Sequence, residues 1–223
     1  MNNLIHANSK CPRKFYAAKS GGVLTLYVYD VITADTFFGG VSAATVAEKM
    51  DEAGAFDSIV LRVNSPGGDM FQGFAIKNLI QSKGVPVSTI IDGEAWSAAS
   101  IVILAGSKIW MNKGSVIGIH NASTICFGTP DILRKQADDL EKMSSQMTAL
   151  YVDRTGLSTE EVQAMMDKET VLDAAEAVAK KFADGIIEPE VIPAPAAPPA
   201  STPATETAAE TDVFDLEAEV DSL

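Results

Sequence analysis

Cysteine is nearly absent: Cys11 and Cys126 are the only two among 223 residues. So few thiols exclude a disulfide-built framework and a structural zinc site, and they fit a reducing compartment. Histidine is equally scarce, with only His6 and His120. Positive charge is short as well, 17 Lys and Arg against 30 Asp and Glu for a formal net charge of −13. Neutralising many nucleic-acid phosphates or docking on an anionic membrane is therefore not expected. Long apolar runs are missing too. Ile101-Val102-Ile103-Leu104-Ala105 is the longest, far below the roughly 20 residues that span a bilayer. The opening MNNLIHANSKCPRKFYAAKSGG holds no apolar segment of signal-peptide length. A soluble, cytoplasmic chain is expected. With 47% hydrophobic residues, it is long enough for one sizeable core.

The acidity is uneven. Residues 188–223 carry nine acidic and no basic residues, which leaves 21 acidic and 17 basic, a net of −4, for residues 1–187. The same stretch holds six of the ten prolines, a composition that cannot bury enough apolar surface to offset chain entropy. It is expected to be a disordered acidic Pro/Ala-rich tail. Its end, Val213 to Leu223, reads either as a short docking motif or as plain solvated tail. The expected organisation is an N-terminal arm over 1–22, a folded domain over 23–187 and the tail over 188–223.

Within 23–187 the apolar period alternates between strand-like and helix-like, as an α/β domain requires. Strands are expected at Val23–Tyr29, Ser58–Val63, Val85–Ile91, Lys108–Met111 and Val116–Ile119. Helices are expected from Ser42, a plausible N-cap, to Ala53, after Asp69, and over Ala98–Ala105, with Gly93–Ser97 as a turn into the last. Pro130–Arg154 reads as one long helix with a stripe at Leu133, Leu140, Met143, Met147 and Leu150. Such a helix packs on its own core or projects toward another subunit. Thr159–Asp167 and Ala174–Phe182 are two more, and Asp184-Gly185-Ile186-Ile187 closes the domain.

Candidate chemistry is sparse. His6 lies in the arm, so an imidazole base can only be His120, at the end of an apolar strand where a side chain reaches the sheet rim. Ser97, among small residues at a strand-to-helix junction, is either a helix N-cap or a nucleophile beside free backbone N–H groups. Gly67-Gly68 in Asn64-Ser65-Pro66-Gly67-Gly68 is either a tight turn or backbone that a ligand can approach closely. There is no phosphate-binding Gly-rich loop ending in Lys-Ser or Lys-Thr. No cofactor and no metal are expected.

The motifs taken in order, NSPGGD, GEAWSAAS, GIHNA and MDKETVLDAAEAVAKKFADGI, resemble ClpP-type serine peptidases, and especially the ClpP-related head maturation proteases of tailed phages and prophages. The strings YDVI, GGVSA, GDMFQG, SAAS and IHNA carry the phage-type likeness, over nearly all of 23–187. The resemblance implies a ClpP/crotonase-like α/β spiral of ββα units with a protruding handle helix, in ring-forming homo-oligomers. It implies Ser97 as nucleophile, His120 as general base, and the N–H groups of Gly68 and Ala98 as oxyanion hole. The acid is an Asp in cellular ClpP and aligns here with Glu169, because Val171-Leu172 and Glu176-Ala177 match the flanking elements. Asp167 is the fallback, and Asp173 fits less well. Nothing before Val23 matches the pore-loop segment of cellular ClpP. The expected activity is serine endopeptidase cleavage of capsid or scaffold chains in the bacterial host cytoplasm or a procapsid. The alternatives are a degradative ring served by a separate AAA+ ATPase, an acyl-CoA enzyme on the related fold, a Ser-Lys peptidase, and a capsid component with a vestigial site.

Overall fold

The computed structural model describes residues 14–37 and 39–188. The expectations for His6, Cys11 and the tail from 189 onward, including Val213 to Leu223, fall outside the described residues. The described residues form eight strands: β1 (Lys14–Ser20), β2 (Val23–Tyr29), β3 (Ser58–Ser65), β4 (Val87–Trp96), β5 (Lys108–Asn112), β6 (Val116–Ile119), β7 (Thr170–Asp173) and β8 (Gly185–Ile187). They form one sheet in the order β1-β2-β3-β4-β5-β8, and β6 pairs with both β4 and β7. The neighbours from β2 to β8 run parallel, whereas β1–β2 and β6–β7 are antiparallel.

Parallel neighbours need crossovers, and helices α1 (Ala43–Ala53) and α2 (Met70–Ser82) supply the first two. Both starts are written in the sequence. Ser42 caps α1 through a reciprocal box: its Oγ accepts from Thr45 N at 3.1 Å, and Thr45 Oγ1 accepts from Ser42 N at 3.0 Å. The Asp69 carboxylate accepts from the N–H groups of Phe71 and Gln72 at the start of α2. Alternation along the strands then puts Leu24, Leu26 and Val28 with Ile59, Leu61 and Val63, in one buried cluster with Val46, Met50, Ile76 and Ile80 of the helices. Burying each such side chain contributes about 1.5–3 kcal/mol. The remaining helices are α3 (Ala98–Val102), extended by a 3₁₀ turn at Ile103–Ala105, then α4 (Pro130–Thr155), α5 (Thr159–Asp167) and α6 (Ala174–Ala179).

Several local expectations change. Lys14–Ser20, read as part of an arm, is a strand joined to β2 through the two-residue turn Gly21-Gly22. Its inward residues Phe15 and Ala17 pack on the core, within the short run Phe15-Tyr16-Ala17-Ala18 that lies between Lys14 and Lys19. Gly93 lies inside β4 rather than in a turn. A register irregularity opposite Val63 and Ser65 lets β4 run on to Trp96. The helix expected over Ala174–Phe182 ends at Ala179, and Thr170–Asp173, where the sequence predicts no element, is a strand pairing antiparallel with β6, four residues being too short to show a period. In α4 the expected stripe divides: Leu133 is exposed and Met147 buried, and Ile132 and Tyr151, outside the stripe, are exposed and buried in the same way. The start of this helix thus stands in solvent while its end belongs to the core.

Candidate active site

β4 delivers its last residue, Trp96, directly to Ser97, and α3 begins at Ala98. Ser97 holds the N-cap position of α3 but does not behave as a cap. Its φ of 51° and ψ of −123° lie in a region that favours glycine, and its side chain makes no capping hydrogen bond. A sharp strand-to-helix turn of this kind lifts a side chain out of the sheet.

Two flanking segments hold the turn in place. From β6, the Gly118 carbonyl accepts the Ser97 N–H at 3.0 Å, and a Cβ at Gly118 would overlap the Trp96 indole. From the β3–α2 loop, Gly67 packs so closely that a Cβ there would lie 2.8 Å from Ser97 Cβ and 2.9 Å from Ala98 N. Gly67 and Gly68 have φ of 85° and 137°, and a Cβ on Gly68 would run into the Ile32 carbonyl. The loop therefore needs glycine at both positions, for its positive φ and for its close packing on Ser97 and Ile32. Hydrogen bonds fix the loop on either side: Ile32 N donates to Gly67 O and Asp69 N to Ile32 O, both at 2.8 Å. Ser65, fully buried, donates its hydroxyl proton to Asp30 O at 2.6 Å and accepts from Gly67 N at 3.1 Å.

His120 follows β6 and is half-buried, with its ring edge-on to Trp96 at 6.3 Å between centroids. The loop behind it is tied to α4, because Ala122 N donates to the buried Ser144 Oγ at 3.0 Å. Gly68, Ser97 and His120 line one open cavity of about 340 Å³. The same cavity is walled by Met70 and Phe71 from α2 and by Leu140, Met143 and Met147 from α4. Ala98 is buried immediately behind it. The structure thus brings Ser97, His120 and Gly68 together, and among the described residues no hydrogen bond joins Ser97 to His120.

The two candidate acids differ. β6 pairs antiparallel with β7 up to Ile119 opposite Thr170, so His120 and Glu169 are the next positions beyond the last pair. Glu169 is exposed with a φ of 50°, and among the described residues its carboxylate makes no hydrogen bond to His120. Asp167 is engaged elsewhere: its Oδ1 accepts from Asn121 Nδ2 and Gln163 Nε2, each at 2.8 Å. These two hydrogen bonds, Gln163 first, hold its carboxyl below the usual range.

Sequence reading missed the polar residues beneath the site. Ser100 Oγ donates to the Ser97 carbonyl at 2.5 Å and lies 2.6 Å from the hydroxyl of the fully buried Tyr151. Ser100 was visible only as the third residue after Ser97, and Tyr151 only as one aromatic in a long helix. Among the described residues no cluster of three or more His, Cys, Asp or Glu could hold a metal ion. No helix of the described residues is long and apolar enough to cross a membrane.

A parallel-centred α/β sheet that ends one strand in a strained serine, with a histidine and a double-glycine loop around the same cavity, has the architecture of a ClpP-like peptidase. A solved mutant of ClpP1 from Listeria monocytogenes superposes with a TM-score of 0.64 at 23% identity, covering 74% of this chain and 91% of that one. A family model described as Clp protease matches residues 42–190. The chain belongs to the Clp protease family and is a ClpP-like serine peptidase.

Proposed function

We infer that the protein is a serine endopeptidase in which Ser97 attacks the scissile peptide carbonyl. His120 takes the hydroxyl proton and returns it to the leaving amine, and Glu169 orients the imidazole. The N–H groups of Gly68 and Ala98 stabilise the oxyanion of the tetrahedral intermediate. Water then attacks the acyl-enzyme carbonyl with His120 again as base, which releases the second product and restores Ser97. The observation that carries this reading is the opening of the strained Ser97 onto the same cavity as His120 and Gly68. The register of β6 against β7 favours Glu169 as the acid, and the two amide donors already on Asp167 Oδ1 disfavour the fallback.

The phage-type strings favour capsid and scaffold chains as substrates, cut by a homo-oligomeric ring in the host cytoplasm or a procapsid. A degradative ring fed by a separate AAA+ ATPase is the other use of the same site. Incubating the purified chain with folded procapsid chains and with an unfolded protein, with and without ATP and a host unfoldase, separates them. Limited cleavage of the capsid or scaffold chain without ATP is the expected result. Processive loss of the unfolded protein only when the unfoldase and ATP are present would move the reading to degradation.

A further inference from the structure

The carbonyl of Ser97 and the N–H of Ala98 belong to one peptide unit. A trans peptide is planar, with C=O and N–H pointing in opposite directions, so whatever fixes the carbonyl on its buried side aims the N–H on the other. The Ser97 carbonyl is held twice, by Ser100 N at 2.9 Å and by Ser100 Oγ at 2.5 Å. The first bond is the ordinary turn of a helix start, whereas the second exists only because residue 100 carries a hydroxyl.

That hydroxyl has a partner of its own. Tyr151 OH sits 2.6 Å from Ser100 Oγ. Ser100 has a single hydroxyl proton, and its bond to the Ser97 carbonyl uses it, so Tyr151 is the donor to Ser100. Tyr151 is fully buried near the end of α4, with its ring tilted against Phe182 at 5.7 Å between centroids. Burial raises its phenol well above the usual range, so it stays a donor across the working pH range. The chain of donors therefore runs from Tyr151 O–H through Ser100 O–H to the Ser97 carbonyl, with every member buried except the serine that faces the cavity.

We propose that Ser100 and Tyr151 are positioning residues for the oxyanion donor: they clamp the Ser97–Ala98 peptide unit, and so aim the Ala98 N–H at the charge that develops in the transition state. This rests on the serine-peptidase reading above. It assigns the end of α4 a part in transition-state stabilisation, beyond packing. Holding the carbonyl also restrains ψ of Ser97 at −123°, without a capping bond from Ser97 itself.

The test compares the full-length chain with Ser100→Ala, Tyr151→Phe and the double variant. A fluorogenic peptide library supplies the substrate, and a peptide boronic acid of the selected sequence serves as the transition-state mimic. Its boron bonds to the serine oxygen, and a boron-bound hydroxyl takes the oxyanion position. Ser100→Ala is expected to lower kcat about 10- to 100-fold and to weaken boronate inhibition by a similar factor, with KM within about twofold. Tyr151→Phe is expected to move both in the same direction by about threefold, and the double variant to be no slower than Ser100→Ala, because the bonds act in series. A merely structural role lowers the thermal midpoint without coupling kcat to boronate affinity, and that result overturns the proposal. Should Ser100→Ala fail to fold, Tyr151→Phe decides alone, since it removes one oxygen and keeps the ring. An unchanged kcat in the folded variants overturns the clamp and leaves the peptidase intact. A wild-type chain that neither turns over the library nor binds the boronate overturns the peptidase reading, and the clamp with it.

Discussion

Gly67 lies against Ser97 so closely that one added methyl group would sit 2.8 Å from the serine Cβ. The proposed oxyanion loop and the proposed nucleophile are thus a single packed unit. Gly67→Ala faces both this clash and a φ of 85°, conformations that cost about 1–3 kcal/mol for a residue with a side chain. The variant is expected to lose stability by about that amount and turnover by about 10²-fold or more, since the Gly68 N–H shifts with the loop. Thermal unfolding and peptide hydrolysis on the same sample check both effects.

Ser97 itself holds a glycine-favouring conformation, φ 51° and ψ −123°. Ser97→Gly is therefore expected to gain about 1 kcal/mol of stability while abolishing hydrolysis, because strain at a functional residue is relieved when function is given up. Ser97→Ala removes the hydroxyl and keeps the strain, so it is expected to be inactive without that gain. Denaturant midpoints of the three chains give the order.

The roles of the two acids separate by amide substitution. Glu169→Gln is expected to slow hydrolysis far more than Asp167→Asn, on the order of 10²-fold or more, because only an acid facing the imidazole fixes its tautomer. Asp167 accepts from Asn121 and Gln163, and its carboxyl is held low by these bonds. Their contribution to stability is present above the usual carboxylate range and fades as the pH falls through the lowered value. Asp167→Asn should therefore flatten the acid limb of the stability profile and leave the rate near wild type. A larger rate loss in Asp167→Asn than in Glu169→Gln would transfer the role.

On the sheet, Tyr29 OH donates to Asp92 Oδ2 at 2.5 Å, and Asp92 also accepts from Arg62 and from Asn112 Nδ2. Burial, and then the bond to Asp92, push the Tyr29 phenol up to about 12. A phenol raised above its ordinary value near ~10 stabilises the fold fully below that value and loses its contribution as the pH climbs through the raised one. Urea midpoints between about pH 9 and about pH 12 should fall more steeply for the wild type than for Tyr29→Phe.

Much of this architecture is legible in the sequence because its signals are local. Ser42 and Asp69 mark helix starts that the capping bonds reproduce, and the alternation in Val23–Tyr29 becomes an inward Leu24, Leu26, Val28 face. The order of the motifs around Ser97 and His120 points to the family before any coordinates. What escapes the sequence depends on partners distant along the chain. β7 exists because Val116–Ile119 pairs with it, and β1 because Phe15 and Ala17 meet the core across the hairpin. The Ser100–Tyr151 bond spans 51 positions, and no local pattern announces it. Glu169 is similar: that it follows the last β6–β7 pair by one position, as His120 does on the other strand, is a matter of register between two short strands.

The most direct test of the central claim is mass-spectrometric peptide mapping after treatment with a fluorophosphonate, which reacts with an activated serine. The expected result is a single phosphonyl adduct on the peptide containing Ser97, lost in Ser97→Ala and slowed on the order of 10³-fold in His120→Ala. An adduct on a different serine, or labelling of Ser97 at an unchanged rate in His120→Ala, would contradict the assignment of nucleophile and base.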